Sequence, residues 1–173
     1  YNVVKTYLGV NAVREVAYNR EKVLSYAKRW AMSRNPAYYN FEDLGGDCTN
    51  FASQCIFAGS GVMNFTRTFG WYFINLNNRT PSWTGVPYLY NFLVGNKGVG
   101  PYAEQTDKSN IMVGDIVQLG DSSGNFYHSP VVVGVQGEDI FVAAHTYDAF
   151  MRPLGSYFYD KVRYIHIIGV RAW

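Results

Sequence analysis

Between Val23 and Ala31 the apolar positions Val23, Leu24, Ala27, Trp30 and Ala31 fall three and four apart, the spacing of a helix that buries one face. Asn19 stands where an N-cap belongs. Lys28 and Arg29 sit in the last turn, and Asn35-Pro36 stops the helix. After the polar loop 37–46, a second helix is predicted from about Asp47 to Ala58. Phe51, Ala52, Cys55 and Ile56 form its buried stripe, and Gly59-Ser60-Gly61 ends it. Residues 62–82 read as irregular. A third helix is predicted from Thr84 to Val94, with Pro87 tolerated in its first turn. From Gly114 the period shortens to two. Strands are predicted over 115–119, 126–135, 139–145 and 162–170, with turn chemistry at Gly120 to Asn125. Helices followed by antiparallel strands make an α+β fold.

The chain has 173 residues, which fits one domain with a substantial core. Residues 1–17 are weakly patterned and read as a lead-in or linker, leaving 18–173 as the folded unit. Hydrophobic residues reach 48% and charged residues only 16%, a balance that excludes disorder. The net charge of +2 comes without any long Lys/Arg block, so a nucleic-acid partner is not expected. No apolar run approaches the roughly 20 residues of a membrane span. The 15 Tyr and 4 Trp read first as an aromatic core with polar rims. Their second use is stacking on sugars or peptides, for which Trp71, Trp83 and Tyr127 are the candidates.

Candidate chemistry changes the picture most at Gly45-Gly46-Asp47-Cys48-Thr49-Asn50-Phe51. Two glycines let the chain turn sharply into a helix. A cysteine in the first helical turn meets the positive end of the helix dipole, which favours thiolate. Free N–H groups there can also hold a developing oxyanion. Cys48 is therefore the candidate nucleophile. Asp47 is expected to cap the helix, with a part in orienting the site as its alternative. Cys55 lies on the buried stripe and reads as structural. At seven residues' separation the Cα atoms of the two cysteines stand about 10 Å apart along a helix, too far for a disulfide.

A cysteine nucleophile needs a base and an orienting group. Of the three histidines, His128 opens a strand and is the candidate base, while His166, between Ile165 and Ile167, reads as structural. The orienter depends on hairpin register. A two-residue loop at Gly137-Glu138 makes paired positions sum to 275 and puts His145 on the face of His128. A three-residue loop puts Asp148 opposite His128 instead. Close Cys or His pairs of the kind zinc sites use do not occur, and neither does a phosphate loop or a G-x-S-x-G elbow. No metal or cofactor is expected.

Taken together, Gly45 to Phe51, Val113 to Val117, Tyr127 to Ser129 and Ala144 to Asp148, with Tyr18 to Arg20 and Pro81 to Gly85, resemble the amidase domain of spore-forming Firmicutes. That family is similar to the papain-like NlpC and CHAP cell-wall hydrolases. The resemblance covers about residues 18–171. It implies a papain-like fold with N-terminal helices packed on a C-terminal antiparallel sheet. It also implies hydrolysis of amide bonds in peptidoglycan or peptide, and Cys48, His128 and His145 as nucleophile, base and orienter. A secreted, cell-envelope or spore-associated protein is the matching location. Pro130, where an aliphatic residue is expected, requires an edge or a bulge in that strand. Two other readings share these residues. One is a catalytically silent cell-wall binding module, for which Trp71, Trp83, Tyr88 and Tyr90 speak; the other is a cysteine peptidase acting on protein.

Overall fold

A computed structural model describes residues 12–173. Residues 1–11, most of the expected lead-in, lie outside it. The elements in chain order are β1 (Arg14–Val16), α1 (Arg20–Trp30), α2 (Cys48–Ser60), β2 (Phe73–Asn75), β3 (Asn78–Arg79), α3 (Pro81–Thr84), α4 (Val86–Gly95), β4 (Gly100–Thr106), β5 (Ile116–Gly120), β6 (Phe126–His128), β7 (Val131–Gln136), β8 (Asp139–Ala144), β9 (Ala149–Pro153) and β10 (Lys161–Ala172). The fold is α+β. One antiparallel sheet runs β1-β10-β5-β7-β8-β9, with β4 also on β10 and β6 also on β5.

The helices form where the pattern places them. Asn19 accepts the Lys22 N–H at 3.0 Å and caps α1. Helix α2 ends at Gly61, which takes the left-handed φ of 64° of a C-terminal glycine. The expected third helix is α4, starting two residues later because Gly85 is extended, and a separate turn, α3, precedes it within and just past the stretch read as irregular. Strands β1, in the expected lead-in, β2 and β3, in the stretch read as irregular, and the longer β4 and β9 were not predicted; the last two show why. Neither alternates cleanly between apolar and polar residues: β4 reads Gly-Pro-Tyr-Ala-Glu-Gln-Thr and β9 Ala-Phe-Met-Arg-Pro.

Two layers of apolar packing share the sheet. Val23, Ala27, Phe51, Ala52, Cys55, Ile56, Leu89 and Leu93 of the helices pack on Ile116, Val131, Val133, Ile165 and Ile167. The intervening positions Val117, Leu119, Val132 and Val142 belong to a second cluster with Leu154, flanked by Tyr157, Tyr159 and Tyr164. Strand alternation places that cluster on the opposite face.

Helices α1 and α2 meet closely at Gly59, whose carbonyl accepts the Asn19 N–H at 3.0 Å. A Cβ there would stand 2.5 Å from Val23 Cγ2 and 2.9 Å from the Asn19 carbonyl. Gly59→Ala is expected to cost about 1–3 kcal/mol or more, since backbone cannot yield as a side chain does. A thermal melt checks this, and an unchanged melting temperature would show that the two helices separate freely.

Candidate active site

The loop before α2 reaches Cys48 through Gly45 and Gly46, with φ of 98° and 103°. These values are open to glycine and strained for other residues. A side chain at Gly46 would also press on Thr146 Oγ1 at 3.3 Å. Cys48 then opens the helix, and the first intrahelical bond runs from the Phe51 N–H to the Asp47 carbonyl at 2.9 Å. The amides of Cys48, Thr49 and Asn50 thus precede the helix ladder, where a developing negative charge is best received.

The Cys48 thiol is buried. Burial pushes its pKa up, the backbone of Ser129 and the Thr49 amide and hydroxyl pull it part-way back, and the Asp47 charge adds to the rise. Ser129 is the residue after His128. Its hydroxyl is 3.4 Å from Thr49 Oγ1 and accepts from Gln118 Nε2 at 3.0 Å. The α2 N-terminus therefore docks where β6 gives way to β7. The interruption falls at Ser129-Pro130, the break in the ladder that a proline at position 130 requires. Cys55 is fully buried, and burial alone drives its thiol well up.

His128 pairs with Leu119 across the β5–β6 ladder. It faces the second cluster, with its ring 5.6 Å from that of Tyr157. No hydrogen-bond partner holds its ring nitrogens among the described residues. Burial first, and the Arg152 charge second, depress its pKa to about 4. At neutral pH the imidazole is uncharged, the state a base needs. The same depression predicts a pH-dependent stability. An unfolded chain protonates this histidine near 6.5 while the folded chain resists until about 4, so the unfolded state binds more protons in between. Stability is expected to fall by about 3 kcal/mol as pH drops through that window. Denaturant unfolding at pH 7, 5.5 and 4 measures it, with His128→Asn flattening the dependence; an equal slope in the variant would assign the loss to other groups.

His145 does not orient His128. Its Nδ1 is 2.6 Å from Asp47 Oδ2 and its Nε2 is 2.8 Å from the Trp30 carbonyl. Its ring stacks on Phe51 at 4.1 Å. The loop at Gly137-Glu138 does have two residues, and Gln136 pairs with Asp139 as expected. A bulge at Val133 then resets the ladder, so that Val132 pairs with Val142 and Val131 with Ala143. Paired positions now sum to 274, which sends His145 to the helix-covered face, away from His128. Asp148 is not the orienter either, since it forms a two-pronged ion pair with Arg34 at 2.8 and 2.9 Å.

Asp47 makes no side-chain cap. Its Oδ1 accepts from the Phe41 N–H at 2.9 Å and from Asn50 Nδ2 at 2.8 Å. Its Oδ2 takes His145 and, at 3.4 Å, Arg34. Its own N–H donates to Thr146 Oγ1 at 2.9 Å. Thr146 and Tyr147 hold left-handed φ of 60° and 67°, a strain of order 1–3 kcal/mol each that surrounding contacts must sustain. The sequence did not announce this clamp; its signal was Asp47 and His145 read separately.

Trp71 and Trp83 are fully buried and do not line a surface. Their indole N–H groups donate to Ser53 Oγ at 3.0 Å and Asn50 Oδ1 at 2.9 Å, so burial leaves no polar group unpaired. Tyr127 is half exposed, its hydroxyl donating to the Phe158 carbonyl at 3.0 Å. His166 bonds Asp115 at 2.8 Å, and Asp115 in turn holds Arg20 at 2.7 Å, a structural network. Among the described residues no helix is long and apolar enough to cross a membrane.

With this geometry in view, the matches to known proteins decide the family. A family described as "Putative amidase domain" matches residues 17–168. The chain belongs to this amidase-domain family. The protein YhbB of Bacillus subtilis (strain 168), described as uncharacterized, is 33% identical over 143 residues, covering 80% of this chain and 45% of its own length. YjcM of the same organism, likewise described, is 23% identical over 147 residues, covering 80% of this chain and 33% of its own. The amidase domain thus spans less than half of these relatives. No solved structure matches the chain significantly.

Proposed function

We propose that this amidase domain is a cysteine-dependent hydrolase of papain-like type that cleaves amide bonds in peptidoglycan, as part of a secreted or cell-envelope protein. One observation carries the reading. A cysteine opens a buried helix whose first turn docks on Ser129, with Thr49 Oγ1 3.4 Å from Ser129 Oγ, and Ser129 directly follows a buried, neutral histidine. Family membership supports the amide bond as target, and the buried Cys48 thiol supports nucleophilic rather than metal-assisted attack.

In this mechanism the ring of His128, which shares no hydrogen bond with Cys48 here and lies beside Tyr157, turns toward the sulfur when substrate binds, and Cys48 Sγ attacks the carbonyl carbon as its proton passes to His128. The oxyanion is held by amides at the start of α2. Collapse breaks the C–N bond, and His128 returns the proton to the leaving amine. Water, deprotonated by His128, then splits the thioester and restores the thiol. Both partners start uncharged, so the ion pair forms only as the bond forms. Asp47 and His145 act at a distance, fixing the angle at which the helix presents Cys48.

Mass spectrometry of purified peptidoglycan after incubation with the domain tests the reading. New amino termini on the stem peptides are expected, and they should vanish after iodoacetamide treatment. Binding to the wall with no released amine, or activity that survives alkylation of Cys48, would overturn it.

A further inference from the structure

Arg152 is a cation without a counter-charge beside the candidate base. Its Nε donates to Ser156 Oγ at 2.8 Å and its Nη2 to the Ser156 carbonyl at 3.2 Å, which leaves Nη1 unused. Among the described residues no carboxylate lies within 4 Å of it, whereas Arg20, Arg34 and Arg171 each have one. The guanidinium sits 3.8 Å from the centre of the Tyr157 ring, and that ring lies 5.6 Å from His128. The Tyr157 hydroxyl is buried with no hydrogen bond of good geometry, the one such side-chain atom among the described residues; burial raises its pKa and the adjacent Arg152 guanidinium pulls it part-way back.

Each of these features is a cost. A buried hydroxyl left unpaired gives up the hydrogen bonds it made to water without replacing them. A positive charge beside an imidazole opposes the imidazolium that proton transfer from Cys48 must create. One ligand relieves both at once, an anion that accepts from the hydroxyl and neutralises the guanidinium.

We propose that Arg152 and Tyr157 form a carboxylate subsite, and that the substrate carries a free carboxylate that accepts from Arg152 Nη1 and the Tyr157 hydroxyl. Its catalytic consequence rests on the reading of Cys48 and His128 as nucleophile and base. The bound carboxylate removes the charge that opposes protonation of His128, so an acidic substrate makes the base competent as it docks. Substrates lacking the carboxylate bind more weakly and also react more slowly, because the imidazolium then forms against an uncompensated guanidinium.

The subsite is tested first without catalysis. N-acetyl-alanine and N-acetyl-alaninamide are titrated into the domain while ring signals of His128 and Tyr157 are followed by NMR. The acid is expected to shift both signals saturably and the amide to leave them unmoved. Arg152→Gln should abolish the response, and Arg152→Lys should keep a weaker one, since lysine retains the charge without the planar fork. Equal responses to acid and amide, or an undiminished response in Arg152→Gln, would overturn the proposal.

The second measurement uses muropeptides before and after carbodiimide-driven amidation of their carboxylates. The domain is expected to consume the free acids at least tenfold faster, with the preference lost in Arg152→Gln and reduced in Tyr157→Phe. A preference that survives in Arg152→Gln would place acid recognition elsewhere. Cys48→Ala separates the two readings. It should silence turnover yet keep the N-acetyl-alanine response; turnover that persists there refutes the nucleophile while the titration still decides the subsite.

Discussion

Replacing Cys48 by serine is expected to lower kcat by roughly 10⁴-fold or more while leaving the fold intact. A serine hydroxyl is a weak nucleophile until a base removes its proton. His128, held neutral down to about pH 4, takes the proton of a thiol far more readily than that of a hydroxyl. The thiol begins much closer to its reactive form, even though burial raises it. Serine is slightly smaller than cysteine, and the Ser129 and Thr49 groups that serve the sulfur can serve a hydroxyl. Stability should therefore move by no more than about 1 kcal/mol. Parallel measurement of turnover and of the melting temperature separates the two effects. A serine variant within tenfold of the parent would remove Cys48 from the chemistry. Cys55→Ser is the control, because Cys55 sits fully buried on the helix stripe and takes no part in the proposed reaction.

Much of this arrangement was legible in the chain before folding, and the failures share a cause. The Asn19 cap, the glycine stop at Gly61 and the two-residue turn at Gly137-Glu138 are local signals, and each formed as its chemistry requires. The location of Cys48 at a helix start is of the same kind. The partners of His145 were not legible, because one extra residue at Val133 inverts every face beyond it. Nothing in Val131-Val132-Val133-Gly134 distinguishes a bulged strand from a regular one. Strand parity was the right tool applied to a ladder with a hidden slip. Trp71 and Trp83 went astray differently. An indole is free to be buried only if its N–H finds a partner, and Ser53 and Asn50, 18 and 33 residues away, could be named only in three dimensions. The same holds for Arg152 and Tyr157, five apart in sequence, which acquire meaning only beside His128.

Asp47 is where the second large effect is expected, on stability first. Its carboxylate is wholly buried, and His145 is 1% exposed. The Trp30 carbonyl can only accept, so His145 Nε2 carries a hydrogen. Nδ1 and Oδ2 lie 2.6 Å apart, a distance that needs a hydrogen between them. Asp47→Ala leaves the His145 Nδ1, the Phe41 N–H and the Asn50 amide without their acceptor in a dry site. Breaking a buried pair in this way costs about 3–5 kcal/mol, roughly 10 °C in melting temperature for a domain of this size. Asp47→Asn provides the discriminating comparison. The amide oxygen can still accept from Phe41 and Asn50, and its NH₂ can donate to Nδ1 of a neutral His145. That variant should lose only about 1–2 kcal/mol, within the range for a hydrogen bond that exchanges a charged for a neutral partner. Turnover should follow the geometry rather than the charge, falling steeply in the alanine variant and mildly in the asparagine one. Asp47 would act through its charge on Cys48 instead if the asparagine variant, with the thiol relieved of a nearby anion, turned over as slowly as the alanine one. Thermal melts and alkylation rates on the two proteins decide between these outcomes. An Asp47→Ala protein melting within about 2 °C of its parent would show that the clamp behind the nucleophile carries no weight.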